Sequence, residues 1–285
     1  MDALVFEIHG FLVANGFDCV VESCSGQSVL RVGARYILPW PVRMVGPEDA
    51  RRQSVSFDVL LNSLSKDGGC PVIITEDRWR RQGNMMRARL LAHLESFTPV
   101  YARNCQVRKI DKKTASVFLE ENHSYGDASC RYRYGLFLKR HTGRFKEGDG
   151  LQLEPGSLVA VASFSNARKW RKGDKVISSY EWTRYASLPG VRVNGGMGKL
   201  LKAFIMDVNP DDVMSYADRE WSEGAVYEKL GFTLEGNKAP VMFEVDGQWR
   251  RTPLRGGQEA EMRSGNLYLQ NLGSNKYRLK LTQYE

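Results

Sequence analysis

The sequence predicts an α/β chain of the α+β kind, in two domains that each mix helices and strands. Three observations predict it. Apolar residues make up 42% of the 285 residues, enough for a core and too many for a disordered chain. Stretches with apolar residues at helical spacing alternate with short apolar runs bounded by glycine, proline and acidic residues. The charge also shifts along the chain. Residues 1–98 carry 11 basic and 11 acidic side chains, 99–175 carry 16 and 8, 176–246 carry 7 and 11, and the remainder 7 and 3. The basic middle suits a phosphate-rich partner as well as it suits a solvated face.

Each element has its own signal. Leu4, Ile8, Phe11 and Leu12 predict a helix over 2–16, stopped by Asn15-Gly16. Val20 to Leu38 is strand-rich with a turn at Ser25-Gly26, Glu48 to Leu64 is helical, and Val72-Ile73-Ile74 is a buried strand. Met86, Leu90, Leu91 and Leu94 predict one long helix over 80–94. Ser96 to Pro99 marks a boundary, giving a small α/β domain over 1–98, a second domain over 99–250 and a C-terminal β extension over 251–285. In the second domain Cys105 to Ile110 is a strand, and Asp111 caps a helix running to about Asn122. Strands follow at 132–138, 158–164 and 176–186, with Arg140 to Gly156 as a long loop. A helix over 197–208 ends at Asn209-Pro210. A strand at 213–217, a helix over 223–230 with Gly231 past its end, and strands at 232–234, 241–245, 267–269 and 277–281 complete the chain.

Composition also excludes some classes. No apolar run approaches the roughly 20 residues of a membrane span. Met1 to Phe17 carries Asp2 and Glu7 and lacks the basic lead of a signal peptide. Cys19, Cys24, Cys70, Cys105 and Cys130 are odd in number and show no Cys-x-x-Cys spacing, which reads as free thiols of a cytoplasmic protein without a zinc site.

Two motifs carry chemistry. Gly195, Gly196, Met197, Gly198 and Lys199 sit between a strand and a helix. Backbone amides there can approach an anion closely, the helix dipole favours it, and Lys199 and Lys202 add positive charge. A plain turn has the same composition. The run is not a P-loop, because Leu200 follows Lys199, and the spacing of a dinucleotide fingerprint fails. The second motif is Tyr227-Glu228-Lys229-Leu230-Gly231-Phe232, at the end of a helix. A third run, Arg168-Lys169-Trp170-Arg171-Lys172, interleaves an aromatic with cations in an expected turn, as single-stranded nucleic-acid binders do.

The order of elements over residues 100–246, with Gly196-Met197-Gly198 and Tyr227 to Phe232, resembles the GNAT superfamily of N-acetyltransferases. One position departs from the family pattern: Val193 stands where an Arg or Gln is usual, with Arg192 one place early. The resemblance implies a mixed, mostly antiparallel sheet flanked by helices. It implies acetyl-coenzyme A as cofactor, its pyrophosphate on Gly195 to Lys199 and its pantetheine arm between splayed strands 176–186 and 213–217. A backbone amide at Ala186 or Ser187 would stabilise the oxyanion. Tyr227 would be the general acid. Glu181 is the candidate base; Arg184, three residues on, is expected on the opposite face of the strand. His123 lies where the family forms its acceptor site, and a histidine suits proton transfer near neutral pH. The acceptor would be an amine.

Ile74 to Trp79, the helix to Leu94, Tyr101 to Cys105 and Phe118 to His123 are similar to phage proteins in which a nuclease-like segment precedes a GNAT-like one. No nuclease site assembles from the residues: Glu76 and Asp77 would face apart on a strand, and no Glu-x-Lys follows a suitable Asp. The first domain has no role that its residues define; if it descends from a nuclease-like segment, its chemistry is expected to be lost. Two functions remain open: N-acyl transfer, or a non-catalytic module of the same fold that binds nucleic acid through 168–172.

Overall fold

The computed structural model describes residues 2–66, 68–140, 153–222, 224–254 and 265–283. In chain order the elements are α1 (Ala3–Ala14), β1 (Val20–Cys24), β2 (Gln27–Val32), β3 (Arg35–Trp40), α2 (Pro47–Lys66), β4 (Val72–Thr75), α3 (Glu76–Arg81) and α4 (Gly83–His93). There follow β5 (Thr98–Tyr101), β6 (Cys105–Lys109), α5 (Lys112–Asn122), β7 (Tyr132–Leu138), β8 (Leu158–Phe164), β9 (Arg168–Lys172), β10 (Lys175–Ser187) and β11 (Val191–Asn194). The chain closes with α6 (Gly196–Val208), β12 (Asp212–Asp218), α7 (Ala225–Lys229), β13 (Thr233–Lys238), β14 (Met242–Val245), β15 (Arg251–Pro253), β16 (Leu267–Gln270) and β17 (Ser274–Lys280).

These elements form two units. The first comprises residues 1–86, 217–224 and 237–275. Its four-stranded sheet runs β1-β2-β3-β4. The first two pairings are antiparallel, and β3 with β4 is parallel because α2 crosses over between them. Helix α2 turns Phe57, Leu60, Leu61 and Leu64 inward against Leu38, Trp40 and Ile73. Trp40 stacks on Phe57 with centroids 4.2 Å apart, and its indole N–H donates to Gln53. The three-stranded sheet β15-β14-β16 adds Val245 and Leu269 to the same core.

This unit buries charge at the turn from β4 into α3. Glu76 accepts from Arg43, from the Val42 amide and from Arg80. Asp77 pairs with Arg251, and Arg78 donates to Glu220 at 2.8 Å. Burial pushes the Glu220 carboxyl above its ordinary range. For Asp77 the charge and hydrogen bonds of Arg251 outweigh burial, and its carboxyl is held below that range.

The second unit comprises residues 87–216, 225–236 and 276–285. Its main sheet runs β13-β17-β12-β10-β8-β7-β6, with β9 paired to the first part of β10 and β5 paired in parallel with β11. Helix α5 covers one face: Ala115, Phe118 and Leu119 pack on Val161 and Ala186. Its start is set by Asp111, whose carboxylate accepts the Thr114 amide at 2.7 Å. Helix α6 covers the other face: Phe204 stacks on Phe164 at 4.0 Å and meets Tyr132, Tyr134 and Tyr180 edge-on. Asp207 fastens this helix through Tyr134 at 2.7 Å and Lys109 at 2.6 Å.

Several expectations are corrected. The single helix over 80–94 is two, because the chain leaves helical geometry at Gln82 before Gly83 opens α4. Glu76 and Asp77 open a helix rather than extend a strand, and both are buried. The basic run 168–172 is an edge strand, not a turn. Strands β5, β11 and β15 had not been expected. The units divide the chain differently from segments 1–98, 99–250 and 251–285, because 217–224 and 237–275 pack with the first unit while 276–285 pair within the second. Most of the expected loop Arg140 to Gly156, and the start of the expected helix at Glu223, lie outside the described residues. Among the described residues no helix is long and apolar enough to cross a membrane.

Candidate functional site

The site begins where the sheet stops being a sheet. Strands β10 and β12 are parallel neighbours, yet their register covers only Ser179, Tyr180 and Glu181 against Asp212, Val213 and Met214. Beyond that pair β10 continues to Ser187 against β8 alone. The departure coincides with a bulge. Trp182 faces Phe164 and Arg184 faces Ser163, so Thr183 is the extra residue. An extra residue bends the strand and inverts its alternation.

The inversion corrects one expectation. Trp182 stacks on Phe164 on the α6 side, so Glu181 points to the α5 side. Arg184, opposite Ser163, points there as well. Glu181 and Arg184 thus share a face instead of opposing one another. The Glu181 amide donates to Ser165 Oγ at 2.9 Å, and its carboxylate has no ion pair among the described residues.

At the fork Ser215 bridges the strands. Its Oγ is 2.9 Å from the Trp182 carbonyl and 2.9 Å from the Tyr227 hydroxyl. A carbonyl only accepts, so Ser215 donates to Trp182 and Tyr227 donates to Ser215. Tyr227 stacks on Tyr277 at 5.3 Å and meets Trp182 and Phe232 edge-on. Burial pushes its phenol above the ordinary value, so the proton is retained at neutral pH.

The glycine turn follows β11. Val191 and Val193 are buried and Arg192 is exposed, its guanidinium over the Phe97 ring at 5.1 Å. Gly195 takes the left-handed conformation at φ 75°, which lets the chain enter α6 in one residue. A Cβ on Gly196 would sit 2.9 Å from Val193 Cγ1 and 3.1 Å from the Tyr185 hydroxyl, and one on Gly198 3.1 Å from Leu230. The amides of Gly196, Met197 and Gly198 head the helix without intrahelical acceptors. Lys199 is different. Its amide returns to Gly195 at 3.0 Å, and its ammonium donates to the carbonyls of Ala102 at 2.8 Å and Cys105 at 2.6 Å. Lys199 therefore braces the turn from beneath rather than projecting toward a ligand.

Ala186 and Ser187 differ by ladder phase. Leu188 donates to Val159 at 3.0 Å, so alternation turns the Ala186 amide toward β8 and the Tyr185 and Ser187 amides toward the opposite edge. His123 caps α5, its amide donating to Leu119 at 2.9 Å and its Nδ1 accepting the Tyr125 amide at 3.1 Å. The turn after it is tied to β10, since Arg184 Nε donates to the Gly126 carbonyl at 2.9 Å. Thr183, Tyr185 and Ser215 were missed in the sequence; a bulge and a bridging hydroxyl belong to strand register, which leaves no local signature. The acidic side chains Asp211 and Asp212 are engaged within the unit, with Thr282 and with Arg278 and Ser179.

No protein-family model matches the chain, and no curated protein is similar to it in sequence. Solved structures similar to it include acetyltransferases. One, described as histone acetyltransferase HPA2 and related acetyltransferase from Corynebacterium glutamicum, is 13% identical over 54% of this chain and 66% of its own, with a TM-score of 0.29. The NatC complex bound to Gag peptide and CoA is 12% identical over 63% of this chain and 99% of its own, with a TM-score of 0.35. A GNAT-family acetyltransferase from Bacillus anthracis is 12% identical over 62% of this chain and 95% of its own, with a TM-score of 0.32. These likenesses are loose. In the second unit β10 and β12 part after Glu181 and Met214, a glycine-opened helix follows β11, and Tyr227 lies on the helix after β12.

Proposed function

We propose that the chain is an acyl-coenzyme A-dependent N-acyltransferase that moves an acetyl group to an amine. The observation that carries this reading is the fork: two adjacent parallel strands pair over three residues and then separate. A sheet gives up ladder hydrogen bonds only where something else takes them. Acetyl-coenzyme A fits on two counts. Gly196 opens α6, where its amide has no intrahelical acceptor and suits a diphosphate, and the inner edge of β10 presents the Tyr185 and Ser187 amides to an arm that itself carries amides. When bound, it supplies a thioester open to attack by an amine.

The residues divide the work. Gly196, Met197 and Gly198 hold the diphosphate, with Gly195 shaping the turn and Lys199 bracing it. The Ser187 amide would be the donor offered to the acyl oxygen. Glu181, on the α5 face, would take the amine proton. Tyr227, hydrogen-bonded to Ser215, would hold the proton for the leaving thiolate. His123 holds the turn over the acceptor side through the Tyr125 amide.

A second reading is favoured by β9, where Arg168, Lys169, Arg171 and Lys172 are exposed on an edge strand without ion-pair partners among the described residues. In that reading the fold serves nucleic acid and catalyses nothing. Calorimetric titration with coenzyme A separates the two. The acyltransferase reading expects binding to the native chain and none to Gly196→Glu, with both folded by circular dichroism. A native chain that releases no heat sinks it.

A further inference from the structure

We propose that the α5 face of β7, β8 and β10 holds a subsite for an anionic group, a carboxylate or phosphate, carried by the amine acceptor. That the ligand is the acceptor rests on the acyltransferase reading; that it is anionic rests on the geometry of the face itself.

Three side chains form a row across three strands. Arg133 is opposite Ser163 in the β7–β8 register, and Ser163 is opposite Arg184 in the β8–β10 register. Residues directly opposite share a face and stand about 5 Å apart at Cβ. The row is two residues along from Val161 and Ala186, which lie under α5, so it falls just past the covered part of that face. The turn from His123 to Asp127 reaches it, fastened by Arg184 to Gly126 and by Glu120 to the Asp127 amide at 2.9 Å.

This row is unfinished. Ser163 is fully buried at 0% exposure, and its hydroxyl has no hydrogen-bond partner. Arg133 Nε is buried and equally without a partner. Neither guanidinium has a carboxylate in salt-bridge contact among the described residues. Two cations flanking a buried hydroxyl disfavour one another unless a negative group lies between them. One anion answers all three needs: it accepts from Arg133 Nε, from Ser163 Oγ and from the N–H groups of Arg184 not used on Gly126 and Thr183. Another orphan of this unit has the opposite sign. Asp127 Oδ1 is a buried acceptor with no donor, and Glu181 on the same face is an unpaired carboxylate. Positive and negative needs side by side describe an ammonium near an anion on one small molecule. No redox or covalent step is involved; the subsite orients the acceptor nitrogen toward Glu181.

The test uses matched amines that differ only in the anion: O-phosphoethanolamine against ethanolamine, and phenylalanine against phenethylamine. Each is titrated into the full chain by calorimetry, with and without saturating coenzyme A. The anionic member of each pair is expected to bind at least about tenfold more tightly, a gap that Arg133→Gln or Ser163→Ala removes while coenzyme A affinity stays unchanged. Ser163→Ala is the conservative variant and carries the test if Arg133→Gln fails to fold. Equal binding within the pairs, preference for the plain amine, no binding of any of the four at millimolar concentration, or a preference that survives both variants overturns the subsite. Failure of the acyl-carrier reading looks different: coenzyme A releases no heat while the preference for the anionic amines persists.

Discussion

The two units treat buried charge differently. In the first, Glu76, Asp77 and Glu220 are closed into ion pairs with Arg43, Arg251 and Arg78, although Glu220 Oε1 and Arg251 Nη1 are left without a partner. In the second, Ser163, Arg133 and Asp127 leave polar atoms buried with nothing to bind, beside two strands that stop pairing. Ion pairs hold a fold together or hold it in one register. Open groups cost stability, and the proposed subsite gathers several of them in one place. The adjacent Glu76 and Asp77, the most suggestive acidic pair in the sequence, are taken up by arginines of their own unit. Among the described residues no group of three or more His, Cys, Asp or Glu is arranged to hold a metal ion.

The largest expected effect breaks the closed side. Arg251→Ala leaves Asp77 buried beside Thr75 with its main partner gone, and loses about 3–5 kcal/mol in denaturant unfolding. The pH dependence follows from the sign. In the native chain the Asp77 carboxyl is held low, so its contribution is present above the ordinary carboxylate value of about 3.9 and is lost as pH falls below it. In the variant burial dominates and raises the same group, so the deficit is greatest at neutral pH and shrinks in acid. A deficit that does not change with pH would mean that the pair is not what closes the cluster.

Next comes the fork. Tyr227→Phe removes the proposed proton donor and its hydrogen bond to Ser215 but leaves the ring stack on Tyr277, so kcat falls about 10²-fold or more while coenzyme A affinity holds and stability falls by no more than about 1 kcal/mol. Because burial raises the phenol, the native rate stays flat through neutral pH and declines only above the ordinary tyrosine value of about 10. A rate that is lost together with the fold would make Tyr227 a packing residue.

The smallest effect sharpens the comparison within one unit. Ser215 has both hydrogen-bonding roles filled, and Ser215→Ala costs about 1 kcal/mol of stability. Ser163 has neither filled, and Ser163→Ala is neutral or stabilising by up to about 1 kcal/mol. Two serines on neighbouring strands of one sheet, with opposite responses to the same change, would measure the difference between a satisfied and an open hydroxyl directly.

Much of this was legible in the sequence because it is local. Asp111 before a helix, Gly195 where the chain turns into one, and Tyr227 to Phe232 at the end of another each act within a few residues. What escaped was long-range. Arg133, Ser163 and Arg184 meet only through strand register, and the bulge at Thr183 that puts Glu181 beside Arg184 is a property of a pair of strands. Lys199 has the composition of a phosphate ligand, but carbonyls from a turn 97 and 94 residues earlier in the chain hold it. The basic strand β9 read as a turn because its solvent-facing cations hide the pairing with β10.

The inner edge of β10 past Glu181 has a practical corollary. Main-chain donors at Tyr185 and Ser187 that no neighbouring strand takes up are a template that any stretched polypeptide can copy, including a piece of another molecule of this protein. Preparations of the bare chain should therefore be sticky in proportion to concentration, and on the proposed acyltransferase reading coenzyme A should cure them by filling the slot in which stray chains would lodge.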